Sequence, residues 1–179
     1  MSDPFSVWSD ILFSSQHPPK GFLVCLRKQS RRYSGIRRKH SSDVAVLVDF
    51  YVPVEFYTMD AEYAALGIDG TSYSEDSSFE SAYLGQAIGE DEEFTYTTWW
   101  GSYTDRLPED YTLSAWIQAG TSDTSVPYTQ SENFAAALAE VIGEDNVNFS
   151  LIEGAEHEDD AFYTDENLAE IFAFLDEAL

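Results

Sequence analysis

The sequence predicts an α/β fold in which strands of a parallel sheet alternate with helices packed on its faces. Two observations carry this reading. Val44–Phe50 (VAVLVDF) is a continuous run rich in β-branched residues, the pattern of a strand buried on both faces. Thr112–Gly120 (TLSAWIQAG) and Val147–Gly154 (VNFSLIEG) read as two further strands, with a helix-period segment between them. Strands separated by helical crossovers pair in parallel, so about three parallel strands with flanking helices are expected.

Taken in order, residues 1–43 form a basic, irregular segment. It mixes Ser, Arg, Lys, Gln and His around Pro18-Pro19, and its one apolar piece, Gly21–Leu26, reads as a short strand with nothing organised after it. Residues 44–179 read as one α/β unit. After the first strand, Met59–Leu66 forms a short helix ended by Gly67, and Gly67–Ser77 is a loop rich in Gly, Ser and Asp. Ser78–Ile88 is a second helical segment, Glu90–Glu93 an acidic turn, and Phe94–Tyr103 an aromatic stretch without a clear period. Pro127 precedes a helix with Phe134, Leu138, Val141 and Ile142 on one face, stopped by Gly143. The last helix opens at Thr164 as its N-cap, carries Asp165 and Glu166 in its first turn, and buries Leu168, Ile171, Phe172 and Leu175. There is no internal repeat.

The 179 residues suit one domain, and 44% hydrophobic with 15% aromatic residues supply a core. No apolar run is long enough for a transmembrane helix. The opening residues lack a basic stretch leading into an apolar core and a cleavage site, so no signal peptide is expected and a cytoplasmic location is the default. Cys25 is the single cysteine, which excludes an internal disulfide.

The net charge of −24 is unevenly spread. Residues 1–42 hold eight basic and two acidic residues, net +6, whereas residues 43–179 hold Arg106 against 31 acids, net −30. A polyanionic body repels nucleic acid and anionic membrane, so neither is expected as a partner, and it suits a high-salt setting. The basic run from Arg27 to Lys39 has no helix, repeat or stacking pattern around it, which speaks against nucleic-acid binding there.

Chemistry concentrates in two loops, each following the carboxyl end of a predicted strand, where α/β folds place their sites. The first, G-T-S-D-T-S-V-P-Y-T-Q-S, carries Asp123; the second, G-A-E-H-E-D-D-A-F, carries His157. Read alone, Asp123 is a turn-forming aspartate among Thr and Ser, and His157 is a solvated histidine among five acids. Read together, an acid then a histidine on successive strand ends is the chain order of a serine hydrolase relay. A serine hydroxyl needs an imidazole to take its proton, and the imidazole needs a buried carboxylate to fix its tautomer and stabilise its cation. A metal site built from His157, Glu158, Asp159 and Asp160 lacks recognised ligand spacing, so none is expected there. The aromatics Trp99, Trp100 and Tyr103 read as core or lid packing, with a lining for an acyl or sugar pocket as the alternative.

These loops, with L-I-E-G-A-E-H and the helix that follows it, resemble the esterase/lipase branch of the α/β-hydrolases, most of all its acetyl-esterase and feruloyl-esterase-like members. V-D-F-Y-V-P-V-E-F, the following M-D-A and Ser81–Gly85 are similar to the same family's middle region, with Val52 where glycine is usual. The resemblance covers roughly residues 44–179 and implies a partial α/β-hydrolase fold, the C-terminal part of its sheet. It maps Asp123 to the catalytic acid and His157 to the catalytic base, with Glu156-His157 in place of the family's Gly-His. The implied reaction is hydrolysis of a carboxylic ester, with a small ester as substrate and no metal or organic cofactor needed.

The third member of the relay is missing from the pattern. No G-x-S-x-G and no H-G-G-type oxyanion loop occurs. D-P-F-S-V-W-S-D (Asp3–Asp10) resembles the strand leading into the nucleophile elbow, but aligning it puts Ser9, Ile11 and Phe13 on the G, S and G positions, with Ile11 as nucleophile. Ser14 and Ser15 lie nearby without glycine-flanked turns. Residues 11–42 therefore read as out-of-frame or replaced sequence, and weak or no esterase activity is expected. The alternatives are a non-catalytic acidic interaction module on a hydrolase scaffold and a truncated gene product. A half-sheet of this kind also leaves open the edge where a preceding strand belongs, which invites dimerisation.

Overall fold

A computed structural model describes residues 44–68, 72, 74–89 and 111–179, together with the backbone of 22–27. It contains four strands, β1 (Phe22–Arg27), β2 (Val44–Phe50), β3 (Ser114–Gly120) and β4 (Val147–Ile152), in one sheet of order β1-β2-β3-β4. The helices are α1 (Met59–Ala65), α2 (Phe79–Leu84), α3 (Tyr128–Ile142) and α4 (Asp165–Ala178). β2, β3 and β4 run parallel, with Val48 opposite Trp116 and Ala115 opposite Val147. The three parallel strands with flanking helices are those expected from the sequence.

β1 is the departure. It pairs antiparallel with β2, Val24 opposite Val48 and Leu23 opposite Asp49. The edge of β2 expected to stand open is therefore occupied, and the outer strands of the described sheet are β1 and β4. An unpaired row of backbone amides and carbonyls takes up whatever apolar strand lies within reach, and Phe22–Arg27 is such a strand. Sequence pattern marked the strand but gave no sign of its partner.

Alternation along the strands sorts side chains between two apolar layers. Val46, Val48, Phe50 and Trp116 face α4, where they pack with Phe162, Ile171 and Leu175. Leu47, Ala115 and Ile117 face α3 and meet Phe134, Ala135 and Leu138. Ile117 and Leu138 are fully buried, and each such side chain contributes about 1.5–3 kcal/mol relative to exposure.

Helix boundaries follow local chemistry. Thr164 caps α4, its side chain accepting from the Asn167 amide, and Ser78 caps α2 by accepting from the Ser81 amide. α2 ends at Gly85, whose φ of 80° is the left-handed stop that glycine allows, so it is shorter than the expected Ser78–Ile88. Two core assignments fail. Val141 is 40% exposed and Phe172 is 53% exposed. Each residue rotates the helix face by about 100°, and the buried stripe follows Phe134, Leu138 and Ile142 on α3 and Leu168, Ile171, Leu175 and Ala178 on α4. Val141 and Phe172 lie round the side of those stripes.

Candidate active site

Both predicted site residues lie beyond the carboxyl ends of neighbouring parallel strands. Asp123 follows β3 by a short turn in which its amide donates to the Gly120 carbonyl. His157 follows β4 after a turn at Gly154, whose φ is 75°. Three hydrogen bonds lace the two loops together: Thr121 N to Ile152 O at 3.1 Å, Ser122 N to Ala155 O at 3.0 Å, and Gly154 N to Thr121 Oγ1 at 2.8 Å. Their approach is so close that a Cβ on Gly120 would lie 2.3 Å from the Ala155 carbonyl oxygen.

This lacing brings Asp123 and His157 side by side. Asp123 Oδ2 lies 2.8 Å from His157 Nδ1, and the carboxylate side chain is fully buried. Its other oxygen accepts from the amides of Ser125 at 2.7 Å and Val126 at 2.8 Å, which fixes the carboxylate plane. The Tyr63 hydroxyl of α1 donates to the Asp123 carbonyl, anchoring the loop from outside the sheet. In the tautomer whose Nδ1–H donates to Asp123, the neutral imidazole presents its Nε2 lone pair. Nε2 is enclosed and has no hydrogen-bond partner among the described residues. Such an arrangement can accept a proton from a hydroxyl and return it to a leaving group.

Of the five acids around His157, Asp159 serves the loop. Asp159 Oδ1 accepts from the Ala161 amide at 2.8 Å, capping the short 3₁₀ turn Asp160–Tyr163, while Glu153, Glu156, Glu158 and Asp160 are exposed.

Sequence reasoning missed Tyr51. Its ring centroid lies 4.7 Å from that of His157, tilted by 56°. Its amide extends the β2–β3 ladder to Gln118 O, but its φ of 48° is left-handed. Strict alternation would send Tyr51 to the α3 side with Leu47; the left-handed turn instead sends it to the α4 side with Phe50. There its ring meets Phe162 edge-on at 4.8 Å and its hydroxyl bonds the Tyr163 hydroxyl. Burial and that hydroxyl push the Tyr51 phenol above its usual range. Among the described residues, Tyr51 and Glu158 are the non-glycine residues with positive φ, and both border His157. Each such conformation costs about 1–2 kcal/mol for an L-residue. Nothing in the residue pattern signals the twist.

A buried polar bridge supports the same end of the sheet. Gln130 of α3 accepts from the amides of Val54 and Glu55 and donates to Glu62 Oε1 at 2.8 Å, while Thr58 and Thr129 also donate to Glu62. It ties the chain after β2 to the first turn of α3. At the β2 end, Asp49 is fully buried; one oxygen accepts from Val52 N and the other has no partner among the described residues. Burial pushes its carboxyl up to about 8, partly offset by the Val52 amide. The nucleophile-elbow positions Ser9, Ile11 and Phe13, with Ser14 and Ser15, lie outside the described residues, as do Trp99, Trp100 and Tyr103.

A parallel sheet with an acid and a histidine beyond successive strand ends is the C-terminal architecture of an α/β-hydrolase. The family model for BD-FAE matches residues 20–138, and the chain belongs to that family of esterase-like α/β-hydrolases. The matched span includes Asp123 and stops short of His157. Among solved structures, the chain is similar to a bifunctional GH43-CE protein of Bacteroides eggerthii, with a TM-score of 0.60 and 17% identity over 89% of this chain and 20% of that one. It is also similar to a truncated form of a carbohydrate esterase from gut microbiota, with a TM-score of 0.60 and 18% identity over 77% of this chain and 44% of that one. The likeness to both is one of fold, and the chain spans less than half of either. No curated protein matches it.

Proposed function

We propose that this chain carries the acid and base of a carboxylic-ester hydrolase site, with Asp123 orienting His157 and Nε2 of His157 moving the proton. The observation that supports this is the 2.8 Å contact between buried Asp123 Oδ2 and His157 Nδ1. In the reaction, a serine oxygen attacks the acyl carbon as its proton passes to Nε2. The carbon–oxygen bond to the alcohol then breaks, and Nε2 gives that proton to the leaving oxygen. Water repeats the sequence on the acyl-enzyme. The fold shared with a carbohydrate esterase supports a small acyl group on a sugar as the substrate class. Since the sequence contains no G-x-S-x-G and no H-G-G-type segment, the chain as written turns over weakly or not at all.

Two measurements test this. A downfield imidazole Nδ1–H resonance, lost in His157→Ala and in Asp123→Asn, is the expected mark of the pair; its absence from the parent chain would overturn the relay. With p-nitrophenyl acetate, parent and His157→Ala should hydrolyse at the same slow rate, and neither should take up a fluorophosphonate serine label. Labelling together with a rate abolished in His157→Ala would overturn the predicted inactivity. A second reading, a non-catalytic acidic interaction module, is favoured by the net charge of −30 over residues 43–179; it shares the expected lack of a His157-dependent rate and gains over the first if the Nδ1–H resonance is absent from the parent chain.

A further inference from the structure

We propose that Tyr51 is the positioning residue for His157, its ring forming the wall that holds the imidazole in register with Asp123. The inference rests on the reading of His157 as the base, and it adds a residue that neither motif spacing nor the acid–histidine order assigns. A hydrogen bond donated to Asp123 fixes one ring nitrogen but leaves the imidazole free to swing about that contact; a second surface is needed to fix its plane.

Tyr51 supplies that surface, and three features show that the fold commits to it. The ring stands 4.7 Å from the imidazole, within aromatic packing distance. Its backbone takes a left-handed φ of 48°, a conformation that persists where surrounding structure imposes it and that clusters at functional sites. Its ring is in turn held from two sides, edge-on by buried Phe162 and through its hydroxyl by Tyr163, both from the 3₁₀ turn just after His157. The segment carrying the base thus closes on itself through Tyr51: the strand end meets the imidazole, and residues five and six places after the imidazole meet the strand end. Glu158, the other left-handed residue, lies directly after His157 and turns the chain towards that closure.

The test uses the full chain with ¹⁵N-labelled histidine, reading the downfield Nδ1–H resonance of His157 and its exchange with water, assigned by its loss in His157→Ala. Tyr51→Phe keeps the ring and should retain the resonance. Tyr51→Gly removes the ring while permitting the left-handed backbone, and should lose the resonance through exchange while the chain still melts cooperatively. Should Tyr51→Gly fail to fold, Tyr51→Leu, which keeps apolar volume at the same place, should lose the resonance in its stead. Val48→Ala, a core truncation on the same strand away from the imidazole, should lower stability yet leave the resonance in place. Retention of the resonance in Tyr51→Gly or Tyr51→Leu overturns the proposal, as does its loss in Val48→Ala. Absence of the resonance from the parent chain refutes the Asp123–His157 relay itself, and with it this role for Tyr51.

Discussion

Replacing Gly120 by alanine tests the close approach that builds the site. The added methyl would lie 2.3 Å from Ala155 O and 2.8 Å from Ala155 C, both backbone atoms. Neither can rotate away as a side-chain end would, so the β4 loop must retreat. Overpacking of this kind costs about 1–3 kcal/mol. Retreat also stretches the Ser122 N–Ala155 O bond, now 3.0 Å, and losing such a bond adds about 1 kcal/mol. The sum, roughly 2–4 kcal/mol, lowers Tm by roughly 4–16 °C for a chain of this size. Calorimetry on parent and Gly120→Ala gives the shift, and the His157 Nδ1–H resonance reports whether the relay opens with the loop. A Tm within a degree of the parent and an undisturbed resonance would refute the claim that main-chain contact between the two loops sets the Asp123–His157 distance.

Further expectations follow from buried polar groups. Asp49 stays protonated in the folded chain up to about pH 8, whereas unfolded aspartate ionises near 3.8. The folded state therefore holds a proton that the unfolded state releases, and this group's contribution to stability falls as pH rises through that window, by on the order of 5 kcal/mol in all. Asp49→Asn should flatten the slope and melt later than the parent at pH 8; urea midpoints of the two chains moving in parallel between pH 5 and 8 would contradict it. Asn167 and Gln118 exchange two hydrogen bonds of 2.8 and 2.9 Å across α4 and β3. Asn167→Ala leaves the buried Gln118 amide short of partners and should cost about 1–3 kcal/mol by urea denaturation. Thr164→Ala, which deletes the α4 cap, should cost about 1 kcal/mol in the same measurement.

The parallel strands and the α4 cap were legible because a buried β-branched run and Thr164 before an acidic first turn are local signals, whereas Ser78, read as part of its helix, is in fact its cap. That Asp123 and His157 lie together beyond neighbouring strand ends was legible through their chain order. What sequence left out is non-local. That Phe22–Arg27 lies antiparallel against β2 depends on an edge formed by residues about twenty positions away. That Tyr51 faces His157 depends on one backbone angle, which no tyrosine advertises. Val141 and Phe172 were misplaced because a helical period gives the spacing of a stripe but not where its centre falls.

The bonds that fasten Thr121, Ser122 and Gly154 have one further consequence. They belong to the joining of adjacent loops and involve neither carboxylate nor imidazole, so the contact between Asp123 and His157 is assembled by the same bonds that make the fold cohere. Selection for folding alone is then enough to preserve that contact, whatever use the chain makes of it.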